Sequence, residues 1–198
     1  MPQERRLDLS PQFAAAAEAL SVLAGAGRPA CVIGGLAVQR WGEPRFTQDA
    51  DLSVLAPLGS ERVLVDHLLE RFEPRDRDAR RLALDHRVLL VRASNGVSLD
   101  IALAAAPFEE EVLARASSWR EVEGVRLVTC SAEDLIIYKL VAGRPGDIQD
   151  VIGIVARQGR TLDAARVRQW AAELADLKED PDLLRPFEMA RTKAGLAD

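Results

Sequence analysis

The sequence predicts an α+β fold, a mixed sheet with flanking helices followed by a helical C-terminal segment. Three observations carry this. Short apolar runs alternate with amphipathic stretches as far as Thr129. A Ser94-Asn95-Gly96 turn joins two of those runs as a hairpin. Beyond Thr129 every periodic stretch has helical spacing. The expected organisation is a core over 1–129 and a helical segment over 130–198, packed together with a cleft between them.

The 198 residues are enough to bury a core, and 48% hydrophobic with 29% charged residues is a globular composition. No apolar run approaches the ~18–20 residues that span a bilayer, so no membrane association is expected. MPQERRLDLS has neither the apolar core nor the cleavage pattern of a signal peptide. Cys31 and Cys130 lie in apolar surroundings, and His67 and His86 are the only histidines. Zinc is therefore not expected, and reduced, buried thiols in a cytoplasmic protein are. A net charge of -5 argues against a general nucleic-acid coat protein, although a local basic patch can still serve an RNA substrate.

In chain order, Ser10 and Pro11 start a helix that runs to about Leu23 and stops at Gly25 and Gly27. A strand over Ala30 to Ile33 meets Gly34-Gly35, then a short helix from Leu36 to Trp41. Asp49 to Leu55 is the next strand. Ser60 to Phe72 reads as an amphipathic helix burying Val63, Leu64, Leu68 and Phe72. Glu73 to Arg81, EPRDRDARR, reads either as a solvated connector or as an arginine patch (Arg75, Arg77, Arg80, Arg81) collecting phosphates.

The hairpin strands are Leu84 to Ala93 and Val97 to Leu103. Pro107 to Ala116 is a helix with acidic residues in its first turn. Glu121 to Val128 is one strand or a hairpin bent at Gly124. Ser131 caps a helix running to Ala142 and ending at Gly143, and Pro145 starts another to about Arg157. Leu162 to Leu177 and Pro181 to Ala194 complete the helical half.

The chemistry-bearing residues sit on the strands. Asp49 and Asp51 alternate with Ala50 and Leu52, so both carboxylates leave one face, about 6.6 Å apart along the strand. That spacing suits divalent ions about 3.5–4 Å apart. Asp100 stands among Ser98, Ala102 and Ala104 on a face of small residues. Aspartate is costly to bury in a strand without a partner. Three with consistent facing are explained by a bound divalent cation, and all-oxygen ligands favour Mg²⁺ or Mn²⁺. The competing account is that Asp49 caps a turn and Asp51 pairs with an arginine such as Arg45. Gly34-Gly35 would bring backbone N–H groups to a phosphate, but it is neither a Walker A loop nor a dinucleotide fingerprint.

The pattern GG-x13-DAD with a third aspartate in VSLDIAL resembles the DNA polymerase beta-like nucleotidyltransferase superfamily. EDLIIYKLVAGRPGDIQDV together with PRFTQDADLSV is similar to the AbiEii-type nucleotidyltransferases, toxins of type IV toxin–antitoxin pairs. The resemblance implies that Asp49 and Asp51 hold both metal ions, and that Asp100 holds the catalytic one and helps activate the attacking hydroxyl. Gly34 and Gly35 would cradle a nucleoside triphosphate (NTP), with Arg45 and Thr47 of the second motif in the same nucleotide-binding set. Lys139 would meet the triphosphate, and Arg144, Asp147 and Asp150 match the downstream part of that motif.

Each of the last four also has a plain structural account. Lys139 could snorkel from a core-facing helix, Asp147 could complement a helix dipole, and Asp150 could pair with Arg144. Many superfamily members carry Gly-Ser where this chain has Gly34-Gly35, which leaves backbone donors alone.

The implied reaction moves a nucleoside monophosphate (NMP) from an NTP to an acceptor hydroxyl. The acceptor would be a tRNA end or other RNA, with a protein hydroxyl or a small molecule such as an aminoglycoside as further candidates. A cognate antitoxin would be the partner. Two rival readings are a non-catalytic member that binds nucleotide or a partner, and a metal-dependent phosphodiesterase using the same acidic cluster.

Overall fold

The computed structural model describes residues 10–196, and it divides into two compact units. The first contains the described residues through Leu36 together with Arg45–Thr129; the second contains Ala37–Pro44 together with the described residues from Cys130 onward.

The first unit is built on a seven-stranded mixed sheet. Its strands are β1 (Ala30–Val32), β2 (Asp49–Leu55), β3 (Glu73–Pro74), β4 (Val88–Arg92), β5 (Ser98–Ala104), β6 (Ser117–Val122) and β7 (Val125–Thr129), in the order β3-β4-β5-β2-β1-β7-β6. β2 and β5 are parallel along their whole length, from Asp49 opposite Ser98 to Leu55 opposite Ala104. β1 runs antiparallel to β2 and β4 antiparallel to β5. One face of the central strands is the core: Ala50, Leu52, Val54, Leu99 and Ile101 are fully buried, each alternating with a residue on the other face.

Helix α1 (Ser10–Gly25) covers that face with Leu23 and with Ala15, Ala16 and Ala19, whose small side chains allow close approach to the sheet. It is also tied to the hairpin turn, where Glu18 accepts from the Ser94 N–H at 3.0 Å and Asn95 donates to Pro11 O at 2.8 Å. The Asn-Gly turn forms as the sequence predicts, with Gly96 at φ +83°.

Several predicted boundaries are corrected. Helix α2 (Gly34–Trp41) starts at Gly34 itself, two residues before the predicted start. Helix α3 (Glu61–Leu69) is shorter than expected, and Val63 is 69% exposed while Val65 takes its place in the buried stripe. The charged run is not all connector. Glu73 and Pro74 form the edge strand β3, and helix α4 (Ala79–His86) runs into the residues expected to begin a strand. Ala79 and Ala83 bury one side of α4, and Arg81 pairs with Asp78 and Asp85 at helical spacing on the other. Arg87, left-handed at φ 57°, ends the helix. Its guanidinium donates to Leu103 O at 2.9 Å and Ala56 O at 2.5 Å. Beyond helix α5 (Pro107–Arg115), the hairpin turns at Glu123 and Gly124, both at positive φ, and its first strand begins earlier than Glu121.

In the second unit, Ser131 Oγ accepts from the Asp134 N–H at 3.1 Å to cap α6 (Ala132–Ala142), and Gly143 at φ +65° ends it. Pro145 then opens α7 (Pro145–Gln158), followed by α8 (Ala164–Lys178) and α9 (Arg185–Lys193). Close packing of α7 on the 42–44 turn relies on Gly153, where a Cβ would lie 3.3 Å from the Glu43 nitrogen. Arg157 reinforces this contact by donating to Gly42 O at 2.6 Å. Cys31 and Cys130 are both buried thiols. No helix among the described residues is long and apolar enough to cross a membrane.

Candidate active site

Register brings the three strand aspartates together. Asp51 lies directly opposite Asp100 in the parallel β2–β5 pair, and Asp49 is two residues back on the same face. Neighbouring strands are about 4.8 Å apart, so facing residues in register have side chains side by side. Asp49, Asp51 and Asp100 accordingly offer carboxylate oxygens that all lie within 4.8 Å of one another, and each residue is partly buried.

Arg75 Nη1 stands 3.0 Å from Asp100 Oδ1, yet off the hydrogen-bonding direction, so this buried oxygen has no hydrogen-bond donor. Burial pushes the Asp100 carboxyl above the ordinary carboxylate range. The Arg75 charge opposes that rise and Asp49 adds to it. Three converging carboxylates of this kind can serve as oxygen ligands to a hard divalent cation.

The Gly34-Gly35 turn backs onto this cluster. Gly34 has φ +59°, and a Cβ there would collide with the Asp51 carboxylate. A Cβ at Gly35 would meet Thr47 Oγ1 at 2.5 Å. The pair of glycines therefore lets the start of α2 lie against the aspartates, and the Gly35 N–H donates weakly to Asp51 Oδ2 at 3.4 Å. Thr47 is buried, and its hydroxyl donates to Asp49 Oδ1 at 3.0 Å, fixing that carboxylate. A serine at position 35 would compete with Thr47 for space. Arg45 is exposed, and its Nη1 donates to Phe46 O at 3.1 Å.

Lys139, Arg144, Asp147 and Asp150 form a separate group within the second unit. Lys139 is only 5% exposed, and its Nζ lies 2.8 Å from Asp147 Oδ1 and 2.9 Å from Asp150 Oδ2. Arg144 Nε donates to Asp147 Oδ2 at 2.6 Å. Burial raises the Asp147 carboxyl, but the hydrogen bonds from Arg144 and Lys139 outweigh it and leave the group below its ordinary range. Lys139 thus reaches two buried carboxylates rather than snorkelling to water.

The arginine patch read from the charged run is dispersed. Arg80 pairs with Asp66 at 2.6 Å and Arg81 with Asp78 at 3.1 Å, while Arg75 goes to Asp100. That last contact was not expected from the sequence. Its only signal is the Pro74-Arg75 step that lets a two-residue strand end beside β4.

A family model described as "Nucleotidyl transferase of unknown function (DUF2204)" matches residues 12–183. No curated protein matches the chain. Among solved structures, the chain is similar to an antigenic nucleotidyltransferase-like protein from Paracoccidioides brasiliensis, with 17% identity and a TM-score of 0.51 over 91% of this chain and 93% of that one. It is also similar to the antibiotic-resistance factor ANT(2'')-Ia, with 14% identity and a TM-score of 0.55 over 86% of this chain and 95% of that one. At these identities the likeness is one of fold.

Proposed function

The chain belongs to this nucleotidyl transferase family of unknown function, and on that premise we propose that it moves an NMP from an NTP to an acceptor hydroxyl, releasing pyrophosphate. The observation that carries the proposal is the convergence of Asp49, Asp51 and Asp100 on one sheet face, with an Asp100 oxygen lacking a donor. Divalent ions such as Mg²⁺ or Mn²⁺, when bound, would neutralise phosphate charge and favour in-line displacement.

The residues divide the remaining work. Asp49 and Asp51 hold the ions, with Thr47 orienting Asp49. Asp100 completes the ligand set and accepts the proton of the attacking hydroxyl. Gly34 and Gly35 present the N-terminal backbone of α2 to the triphosphate, and Arg45 supplies charge from the loop before β2. Lys139 is assigned a positioning role in place of direct triphosphate contact, because withdrawing it would strand two buried carboxylates. It fixes Asp147 and Asp150, and Arg144, whose side chain is 75% exposed, is the member open to an incoming phosphate.

The proposed acceptor is RNA, a tRNA end in particular, with the protein acting as the toxin of a toxin–antitoxin pair. The motifs similar to AbiEii-type enzymes support this. A small-molecule hydroxyl is the second reading, and the fold shared with an antibiotic-resistance factor favours it. Incubation with each labelled NTP, Mg²⁺, and panels of RNAs and aminoglycosides separates the two. Transfer that Asp49→Ala abolishes supports the enzyme reading, and the labelled product identifies the acceptor. Nucleotide binding without transfer would favour a non-catalytic member. RNA cleavage without added NTP would favour a phosphodiesterase.

A further inference from the structure

Arg75 is separated from the rest of the charged run by the fold. Pro74 pairs with Val91, and the Arg75 N–H donates to Leu90 O at 3.1 Å, which places Arg75 level with Leu90 on β4. Leu90 is in turn level with Asp100 on β5. Arg75 therefore reaches across one intervening strand, a backbone separation of about 9–10 Å at the usual strand spacing. Its guanidinium is held close, 23% exposed, with Nη1 3.0 Å from Asp100 Oδ1. The contact is a single-oxygen charge pairing, without the two-point fork that makes arginine–carboxylate pairs hard to exchange.

We propose that Arg75 is an intramolecular competitor for the ion at Asp100. Its guanidinium supplies positive charge at Asp100, and it must withdraw from Asp100 Oδ1 when a divalent cation takes that oxygen. Ion affinity is then set by an exchange of one cation for another. A withdrawn Arg75 remains tethered to the edge of the site, where its guanidinium can pair with a phosphate oxygen. An ion arriving with a nucleoside triphosphate is accordingly favoured over a bare ion. This inference rests on the reading of the three aspartates as an ion site.

The test is Mn²⁺ titration of the full chain without nucleotide, followed by electron paramagnetic resonance. Arg75→Gln is expected to bind Mn²⁺ about tenfold more tightly than the parent, since a like charge a few ångströms from the ion is removed. Arg75→Lys keeps the charge and should stay within about twofold. In an Asp100→Asn background the glutamine substitution should change nothing. Unchanged or weaker Mn²⁺ binding by Arg75→Gln, with the parent's Tm, would overturn the competition and leave Arg75 as a residue that orients Asp100. The ion-site reading would then still stand. Mn²⁺ uptake by neither the parent nor Arg75→Gln would sink the ion site itself, and uptake by Arg75→Gln alone would support the competition.

Discussion

Two of the aspartate clusters with basic partners among the described residues are built on opposite electrostatic plans. In the second unit, Lys139 and Arg144 face Asp147 and Asp150, so charges match in number, and Asp147 is held below its ordinary pKa. In the first unit, Asp49, Asp51 and Asp100 converge with Arg75 beside Asp100, and burial drives Asp100 above its ordinary pKa. The second cluster holds Lys139 between two buried carboxylates at the junction of α6 and α7. Under the proposed reading, the converging one offers carboxylate oxygens to a cation from solution. The contrast frames the proposed ion site as a question of which carboxylates already have cationic partners in the fold.

The largest effect expected from this contrast is on activity. Asp49→Ala or Asp51→Ala should lower NMP transfer by roughly a thousandfold or more, given the several kcal/mol an ion contributes to such transition states. Urea unfolding of the ion-free variants should show stability no lower than the parent's by more than about 1 kcal/mol, because mutual repulsion is relieved. Lys139→Met should do the reverse to stability, costing about 3–5 kcal/mol by stranding two buried carboxylates. Adding Asp147→Asn and Asp150→Asn to it should recover much of that loss, which equilibrium unfolding can measure.

Gly34→Ala is a smaller perturbation of the first cluster. A left-handed alanine costs about 1–2 kcal/mol, and its Cβ would also displace the Asp51 carboxylate. Mn²⁺ affinity should therefore fall further than the Tm shift alone would suggest.

The smallest difference is in pH dependence, and its sign is opposite in the two clusters. Asp147, with a depressed folded pKa, contributes stability that is complete above the unfolded carboxylate value, about 3.9, and lost as pH falls through its folded pKa. Asp100, with a raised folded pKa, disfavours the ion-free fold when ionised. Its contribution to stability therefore increases as pH drops through that folded pKa towards the unfolded value. Urea unfolding of the ion-free chain from pH 7 to about pH 4 should flatten with Asp100→Asn across the upper part of that range. Asp147→Asn should alter only the acid end.

Much of this contrast was legible in local sequence. Strand alternation is a two-residue rule, so the facing of Asp49, Asp51 and Asp100 could be read directly, as could the Asn95-Gly96 turn and the Ser131 cap. Register across β2 and β5 is not local, and only the fold puts Asp51 opposite Asp100. Arg75 was hidden for the same reason. A two-residue edge strand has no periodicity, and the partner of Arg75 lies two strands away. Helix α4 was obscured because its buried face is only alanine, within a stretch dominated by charge. Lys139 showed helical position but not partners, since which acids a buried lysine meets depends on how α6 and α7 pack.

The most direct test of the account is Mn²⁺ titration of the parent beside Asp51→Asn and Asp150→Asn, each first confirmed folded by its unfolding transition. Saturable Mn²⁺ binding lost in Asp51→Asn and kept in Asp150→Asn is the predicted result. Equal binding in the parent and Asp51→Asn would contradict the claim that the strand aspartates form the ion site.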